Sequence, residues 1–210
     1  MNQSLFQQAA GVSSSLADRW FTHLDAVMGQ YGIVKPIDQA MFIAQMGTES
    51  GGFKTLSENL NYASDRLVGV FGSHRISQQQ ANQFGRNPNH PADQRAIANI
   101  VYGGDWGLEN LGNTQDGDGW LFRGRGLKQI TGRENYTKCG KALGLNLIAD
   151  PDQLLNDTYA ALSAGWFYVS KGCLKYPGDV VKITQLINGG QKGIDDRRQR
   201  YNKAKSVLVA

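Results

Sequence analysis

The chain has 210 residues, a formal net charge of +4 and a sequence pI near 9.1, long enough to bury a large core and positive enough to attract nucleic acid, a membrane surface or a bacterial wall. Hydrophobic content of 40% and charged content of 19% exclude wholesale disorder, and no stretch has the length of a membrane helix. Cys139 and Cys173 are too few for a disulfide framework and fit no metal or redox spacing, so both are expected as small core residues. His23, His74 and His90 stand apart without acidic or cysteine neighbours at ligand spacing, which argues against a zinc amidase. No metal and no cofactor are expected. Residues 1–10 lack the basic start and apolar core of a secretory signal, so synthesis in a cytoplasm without an export address is expected.

In chain order the periodicity predicts helices nearly throughout. Ser13 to Ser15 offer caps to a helix whose apolar face is Leu16, Trp20, Leu24, Val27, Met28 and Tyr31, ending at Gly32. His23 falls on or beside that face as a packing residue. Pro36 then opens a helix that is apolar almost all round and runs to Glu49. Gly51 and Gly52 stop it and provide a hinge. At such a C-terminal end neither the helix dipole nor apolar walls favour an ionised carboxylate, which suits Glu49 to general-acid work. A second carboxylate, Glu58, follows in a polar, turn-rich segment.

Short helical pieces are expected over Ser64 to Phe71, Ser77 to Phe84 and Pro91 to Tyr102, separated by the loop from Gly85 to Pro91. This insertion is a candidate for a smaller lobe at about 64–115 within a single catalytic domain of residues 1–210, with no separate wall-binding domain. Gly103 to Gly119 reads as irregular, with Trp106 and Trp120 either stacking on a sugar ring or anchoring the core. Asp116 to Gly119 lacks the later glutamate of a calcium loop and reads as a tight turn. Trp120 to Arg123 carries the one short strand signal. Thr131-Gly132-Arg133-Glu134 has capping-box spacing for a helix over 132–143. Asp150-Pro151 opens a long helix through Leu154, Ala161, Trp166 and Val169, and Asp179 opens another that Asn188-Gly189-Gly190 stops. A last helix runs from Ile194 to Val207 and carries Arg197, Arg198 and Arg200. The fold class is therefore mainly α.

Four stretches carry a family resemblance: Thr48-Glu49-Ser50-Gly51-Gly52; Glu58 with Asn61-Tyr62; Gly124-Arg125-Gly126 followed by Gln129-Ile130-Thr131; and Ile187-Asn188-Gly189-Gly190. In this order, and spanning residues 40 to 200, they are similar to glycoside hydrolase family 19, the chitinase family, and in particular to its compact phage endolysin branch. The resemblance implies a lysozyme-like helical fold with a substrate cleft. It also implies Glu49 as acid, Glu58 as base and Thr131 beside the attacking water, with Tyr62, Gln129, Asn135 and Asn188 along the sugar-binding groove. Each of these has a plainer use; Asn188 before two glycines is also a good helix terminator. In that family the segment after Asn-Gly-Gly supplies a glutamate that joins an arginine near the acid. Here Gln191-Lys192 stand in that place, and the matching arginine is Arg197 or Arg198.

Inverting hydrolysis requires an acid at the departing oxygen and a base for water on the opposite face of the sugar, with the carboxyls roughly 6.5–9.5 Å apart. Glu49 and Glu58 are suited to those roles. The basic flank of the third stretch, Arg123, Arg125, Lys128 and Arg133, favours an anionic peptide-substituted glycan over neutral chitin. The expectation is an endolysin that cuts the N-acetylmuramyl–N-acetylglucosamine β-1,4 bond of peptidoglycan. It would be made in a host cytoplasm, pass a separate holin and act as a monomer on the periplasmic wall, without nucleic acid or stable membrane insertion. Three alternatives stay open: a chitinase; a lytic transglycosylase, which uses one acid and would have no need of Glu58; and a non-catalytic wall-glycan binder, which would leave the paired carboxylates unexplained.

Overall fold

The periodic apolar positions become helix almost everywhere, and among the described residues extended pairing is limited to isolated bridges such as Ser57 with Arg125 and Arg125 with Ile130. In a computed structural model, which describes residues 1–209, the chain opens with α1 (Gln3–Ala10), α2 (Ser14–Gln30) and α3 (Pro36–Glu49). It continues through α4 (Ser64–Phe71), α5 (Gln78–Phe84), α6 (Gln94–Val101), α7 (Gly104–Leu111), α8 (Asp118–Leu121) and α9 (Arg133–Leu143). After a 3₁₀ segment, Pro151–Leu155, come α10 (Asp157–Ser170), α11 (Val180–Asn188) and α12 (Ile194–Leu208). No helix among the described residues is long and apolar enough to cross a membrane.

The contacts divide the chain into two units. The first comprises Met1–Leu56, Gly126–Gln129 and the chain from Gln153 onward. Its centre is α3, where residues 40–47 are buried without interruption among side chains from α1, α2, α10, α11 and α12. Pro36 sits in the first turn, where its missing N–H costs nothing. Trp20, Phe42, Phe53 and Tyr168 are fully buried or nearly so in this core, each contributing roughly 2–3 kcal/mol through apolar area removed from water. Gly47 eases the close packing of α12 on α3: a Cβ there would lie 3.3 Å from the Arg200 guanidinium and 3.3 Å from the Phe53 ring, so a neighbour would have to give by a few tenths of an ångström.

The second unit comprises Ser57–Arg125 and Ile130–Asp152. Leu60, Leu67, Phe71, Ile76, Ile97 and Val101 form its own apolar cluster. Ser77 and Gln80 make a reciprocal capping box on α5, and the Asp93 side chain caps α6.

Four local expectations are corrected. The segment 103–119 holds α7 and the start of α8 rather than irregular chain, because its glycines allow contacts no side chain would permit. A Cβ on Gly107 would lie 2.0 Å from the Tyr102 carbonyl oxygen, and one on Gly119 would lie 2.4 Å from that of Ala98. Trp120 and Leu121 end α8 instead of beginning a strand. Thr131 does not cap α9 through its side chain. Gly132, at φ 91°, is the cap residue, and the Arg133 N–H donates to Asn113 Oδ1 at 2.9 Å. The helix expected from Asp150 is broken after Leu155, where Asn156 accepts from the Thr158 N–H at 3.0 Å and starts α10 afresh.

Candidate active site

Glu49 ends α3, and the turn after it is pinned. Gly51, Gly52 and Phe53 all adopt positive φ, of 59°, 78° and 65°. Two glycines make this accessible, while Phe53 is held there by burial and by hydrogen bonds. Its N–H donates to Ser50 Oγ at 2.9 Å, and its carbonyl accepts from the Trp20 indole N–H at 2.9 Å. The Gly52 N–H closes on the Gly47 carbonyl at 2.7 Å. The expected hinge is thus a fixed corner that sets the direction of the Glu49 side chain.

The surroundings of Glu49 are cationic rather than the apolar walls expected. Arg197 Nη2 donates to Oε1, and Lys128 Nζ stands 3.1 Å from Oε2. Arg197 is buried, and its remaining donors go to Gln45 Oε1 and, at 3.3 Å, to the Lys192 carbonyl. Gln45 in turn donates to Thr184 Oγ1 at 3.3 Å. Of the two arginines left open by the sequence, Arg197 is therefore the one on the acid. Arg198 is exposed and lies 3.6 Å from Asp195.

Lys128 reaches Glu49 from the turn Gly126–Gln129, a short piece of the first unit supplied from mid-chain. The Gly126 N–H donates to the Leu56 carbonyl at 2.9 Å, and Leu127 is fully buried. Gln129, at φ 59°, folds its side-chain amide back onto the Gly126 carbonyl at 2.8 Å. Asn188 is exposed at the end of α11. It donates to the Lys192 carbonyl at 2.9 Å while its own Oδ1 accepts from the Gly190 N–H. The loop it closes therefore presents one carbonyl, that of Lys192, to both Asn188 and Arg197.

In the second unit Glu58 is half-buried and fixed by Gly124 and Tyr102. Its N–H donates to the Gly124 carbonyl at 2.9 Å, and its Oε2 accepts from the Gly124 N–H at 3.2 Å. Its Oε1 accepts the Tyr102 hydroxyl. Burial, reinforced by the Glu58 charge, holds the Tyr102 phenol far above its ordinary range, so it remains a donor. The Asn113 amide fixes Tyr102 from behind, donating to its carbonyl at 2.8 Å. Tyr62 is half-buried with its ring edge-on to Phe71, and burial followed by the Glu58 charge raises its phenol. Asn135 donates to the Thr131 carbonyl at 2.8 Å, and both residues are half-buried.

Most of the arginines flanking the third motif are structural. Arg125 is buried, donating to the Leu121 carbonyl and the Tyr136 hydroxyl and pairing with Asp152 at 2.7 Å. Arg133 forks onto both oxygens of Asp118. Arg123 lies 3.9 Å over the Trp120 ring, as Arg75 lies 4.0 Å over Trp106, so each half-buried tryptophan has a guanidinium on its face. Cys139 and Cys173 are free and buried, and burial pushes both thiols up to about 12. Among the described residues no group of His, Cys, Asp and Glu is arranged to hold a metal ion.

Sequence reasoning singled out Glu49 and Glu58 as the candidate carboxylates. It narrowed the arginine to Arg197 or Arg198 but left Gln45 and Lys128 beside Glu49, and Tyr102 and Gly124 beside Glu58, unassigned. Gly124 lay inside the matched third motif, which was its signal. Tyr102 carried none.

A family model described as Chitinase class I matches residues 109–202. A Haemophilus influenzae glycosyl hydrolase family 19 domain-containing protein is 36% identical over 178 residues, covering 85% of this chain and 84% of that protein. The chain belongs to glycosyl hydrolase family 19. As a member of that family it is a chitinase-like glycoside hydrolase. Endochitinase 1 of Theobroma cacao is 42% identical over 53 residues, which cover 25% of this family 19 hydrolase and 16% of the plant protein. The fold agrees with solved structures. Chitinase C from Streptomyces griseus superposes with a TM-score of 0.63 at 15% identity, covering 99% of this chain and 91% of that one. A bacterial family 19 chitinase gives 0.55 at 18% identity, covering 100% and 95%. The mainly helical, lysozyme-like fold expected from the sequence is the fold of this family 19 hydrolase.

Proposed function

We propose that this family 19 hydrolase is an endolysin that cuts the glycan strands of bacterial peptidoglycan at the N-acetylmuramyl–N-acetylglucosamine β-1,4 bond. Glu49 gives its proton to the departing glycosidic oxygen as the bond to the anomeric carbon breaks. Glu58 takes a proton from water, whose oxygen attacks that carbon on the other face and inverts it. Arg197 stabilises the charge that returns to Glu49 as its proton leaves. The Tyr102 hydroxyl and the Gly124 N–H occupy one lone pair on each oxygen of Glu58, leaving others for water. Thr131 holds that water, and Tyr62, Gln129, Asn135 and Asn188 line the sugar path. The protein works as a monomer. It is made in a host cytoplasm and reaches the periplasmic wall through a separate holin, without binding nucleic acid or inserting stably in the membrane.

The observation that carries the anionic glycan over neutral chitin is a buried lysine placed on the acid itself, in a chain of net charge +4. The second reading, a chitinase, is favoured by the description of the matching family model. Digesting purified peptidoglycan and chitin side by side and weighing the products by mass spectrometry separates the two. Muropeptide-sized products with ordinary muramic acid reducing ends are expected from the first. Chitin fragments alone would leave the second.

A further inference from the structure

Each oxygen of Glu49 is taken by a different cation, and the two cations are held very differently. Arg197, whose side chain is 3% exposed, is locked at three points by Glu49, Gln45 and the Lys192 carbonyl. Lys128 hangs on a flexible stem with rotatable donors, and its ammonium meets Glu49 Oε2 at 3.1 Å and the face of Phe167 at 4.6 Å. Its side chain is 9% exposed and that of Glu49 is 11% exposed, so the pair keeps an edge in solvent. The Phe167 ring is shared by a second ammonium, that of exposed Lys171 at 5.2 Å. Exposed Lys171 thus adds a second positive charge against the same ring.

The backbone under Lys128 is fixed, so only the side chain can yield. Gly126 sits at φ +76°, where a Cβ would lie 3.0 Å from Ser163 Oγ. Gln129 has a positive φ as well, and Leu127 between them is buried in the core.

We infer that Lys128 is a specificity-determining residue: its ammonium occupies Glu49 Oε2 in the free enzyme, and a carboxylate carried by the glycan strand draws it away. The inference rests on the peptidoglycan reading. Glu49 then takes a solvent proton at Oε2 and passes it to the glycosidic oxygen as the bond breaks, with Arg197 still on Oε1. A neutral strand offers nothing to hold the ammonium and leaves the acid occupied.

The test compares kcat/KM on peptide-free glycan strands with free lactyl carboxylates, on the same strands methyl-esterified, on peptide-bearing strands, and on a neutral chitin oligomer. The wild-type enzyme should prefer free over esterified strands by about tenfold, the worth of one charge-assisted hydrogen bond. Lys128→Met should bring that ratio close to one, and Lys128→Arg should restore most of it. A charge preference confined to peptide-bearing strands would support the same role with the carboxylate on the peptide. Equal wild-type rates on all wall strands overturn the inference while leaving the proposed function intact, and need no variant to fold. A preference unchanged in Lys128→Met overturns it too. Cleavage of the chitin oligomer alone overturns the proposed function, and the inference with it.

Discussion

Arg197, on α12, donates to Oε1 of Glu49 from 148 positions further along the chain. The contact ties the C-terminal helix to the end of α3 through two charges that are both largely out of water. Removing one partner of such a pair leaves the other uncompensated. Arg197→Met should cost about 3–5 kcal/mol of stability, measured by denaturant unfolding, and should abolish most turnover. A variant as stable as the wild type would show that the pair contributes nothing to the fold.

Glu49→Gln fills the same volume without a transferable proton. It should bind wall strands and remain folded while losing roughly 10²-fold or more in kcat. Near-normal turnover by a folded Glu49→Gln enzyme would remove Glu49 from the acid role.

Tyr102→Phe keeps the ring packed against Phe71 and removes only the hydroxyl on Glu58. The expected result is a kcat lower by about tenfold, the scale of one hydrogen bond to a charged group, with KM little changed. Unchanged kcat would mean that Gly124 alone is sufficient to orient Glu58.

Asp118 provides a pH test of the second unit. Burial raises its carboxyl, but the Arg133 fork and the N–H groups of Gln115 and Thr114 outweigh that and hold it below the ordinary range. A depressed folded value stabilises the protein above the unfolded carboxylate pKa of about 3.9. That stabilisation is lost as pH falls through the folded value. Thermal melts from pH 6 to pH 2.5 should show this acid loss in the wild type and a smaller one in Asp118→Asn, which begins about 3 kcal/mol less stable. Identical pH dependence in both would contradict the assignment.

What the sequence showed clearly was local. Pro36 with the unbroken apolar run behind it marks α3, and Asp179 with Asn188-Gly189 marks both ends of α11, because each signal lies within a turn or two of what it controls. Helix α7 was hidden because Gly104 and Gly107 lower helix propensity, and the close backbone contact that compensates is a tertiary fact. The start of α9 was hidden likewise, since the Arg133 N–H at its first position finds its acceptor on Asn113, 20 residues upstream. The two carboxylates stood out through their motifs, and Arg197 was one of two candidates, whereas the pairing of Lys128 and Tyr102 with them was not legible. Lys128 is 79 positions from Glu49 and Tyr102 is 44 from Glu58, and no periodicity spans such distances. The arginine-rich flank misled for the same reason: Arg125 is itself buried, and Arg133 forks onto buried Asp118, although both read as surface charge.

The claim that Glu49 and Glu58 act together as acid and base on a peptidoglycan strand is tested most directly by digestion of purified strands in ¹⁸O-labelled water, with wild-type and Glu58→Gln enzymes. Hydrolysis places one labelled oxygen at each new reducing end, and Glu58→Gln should lower the rate by about 10²-fold or more, the worth of a positioned base. Unlabelled anhydro ends, formed at an undiminished rate by Glu58→Gln, would contradict it: the substrate's own hydroxyl would then be the attacking group, and Glu49 the sole catalytic carboxylate.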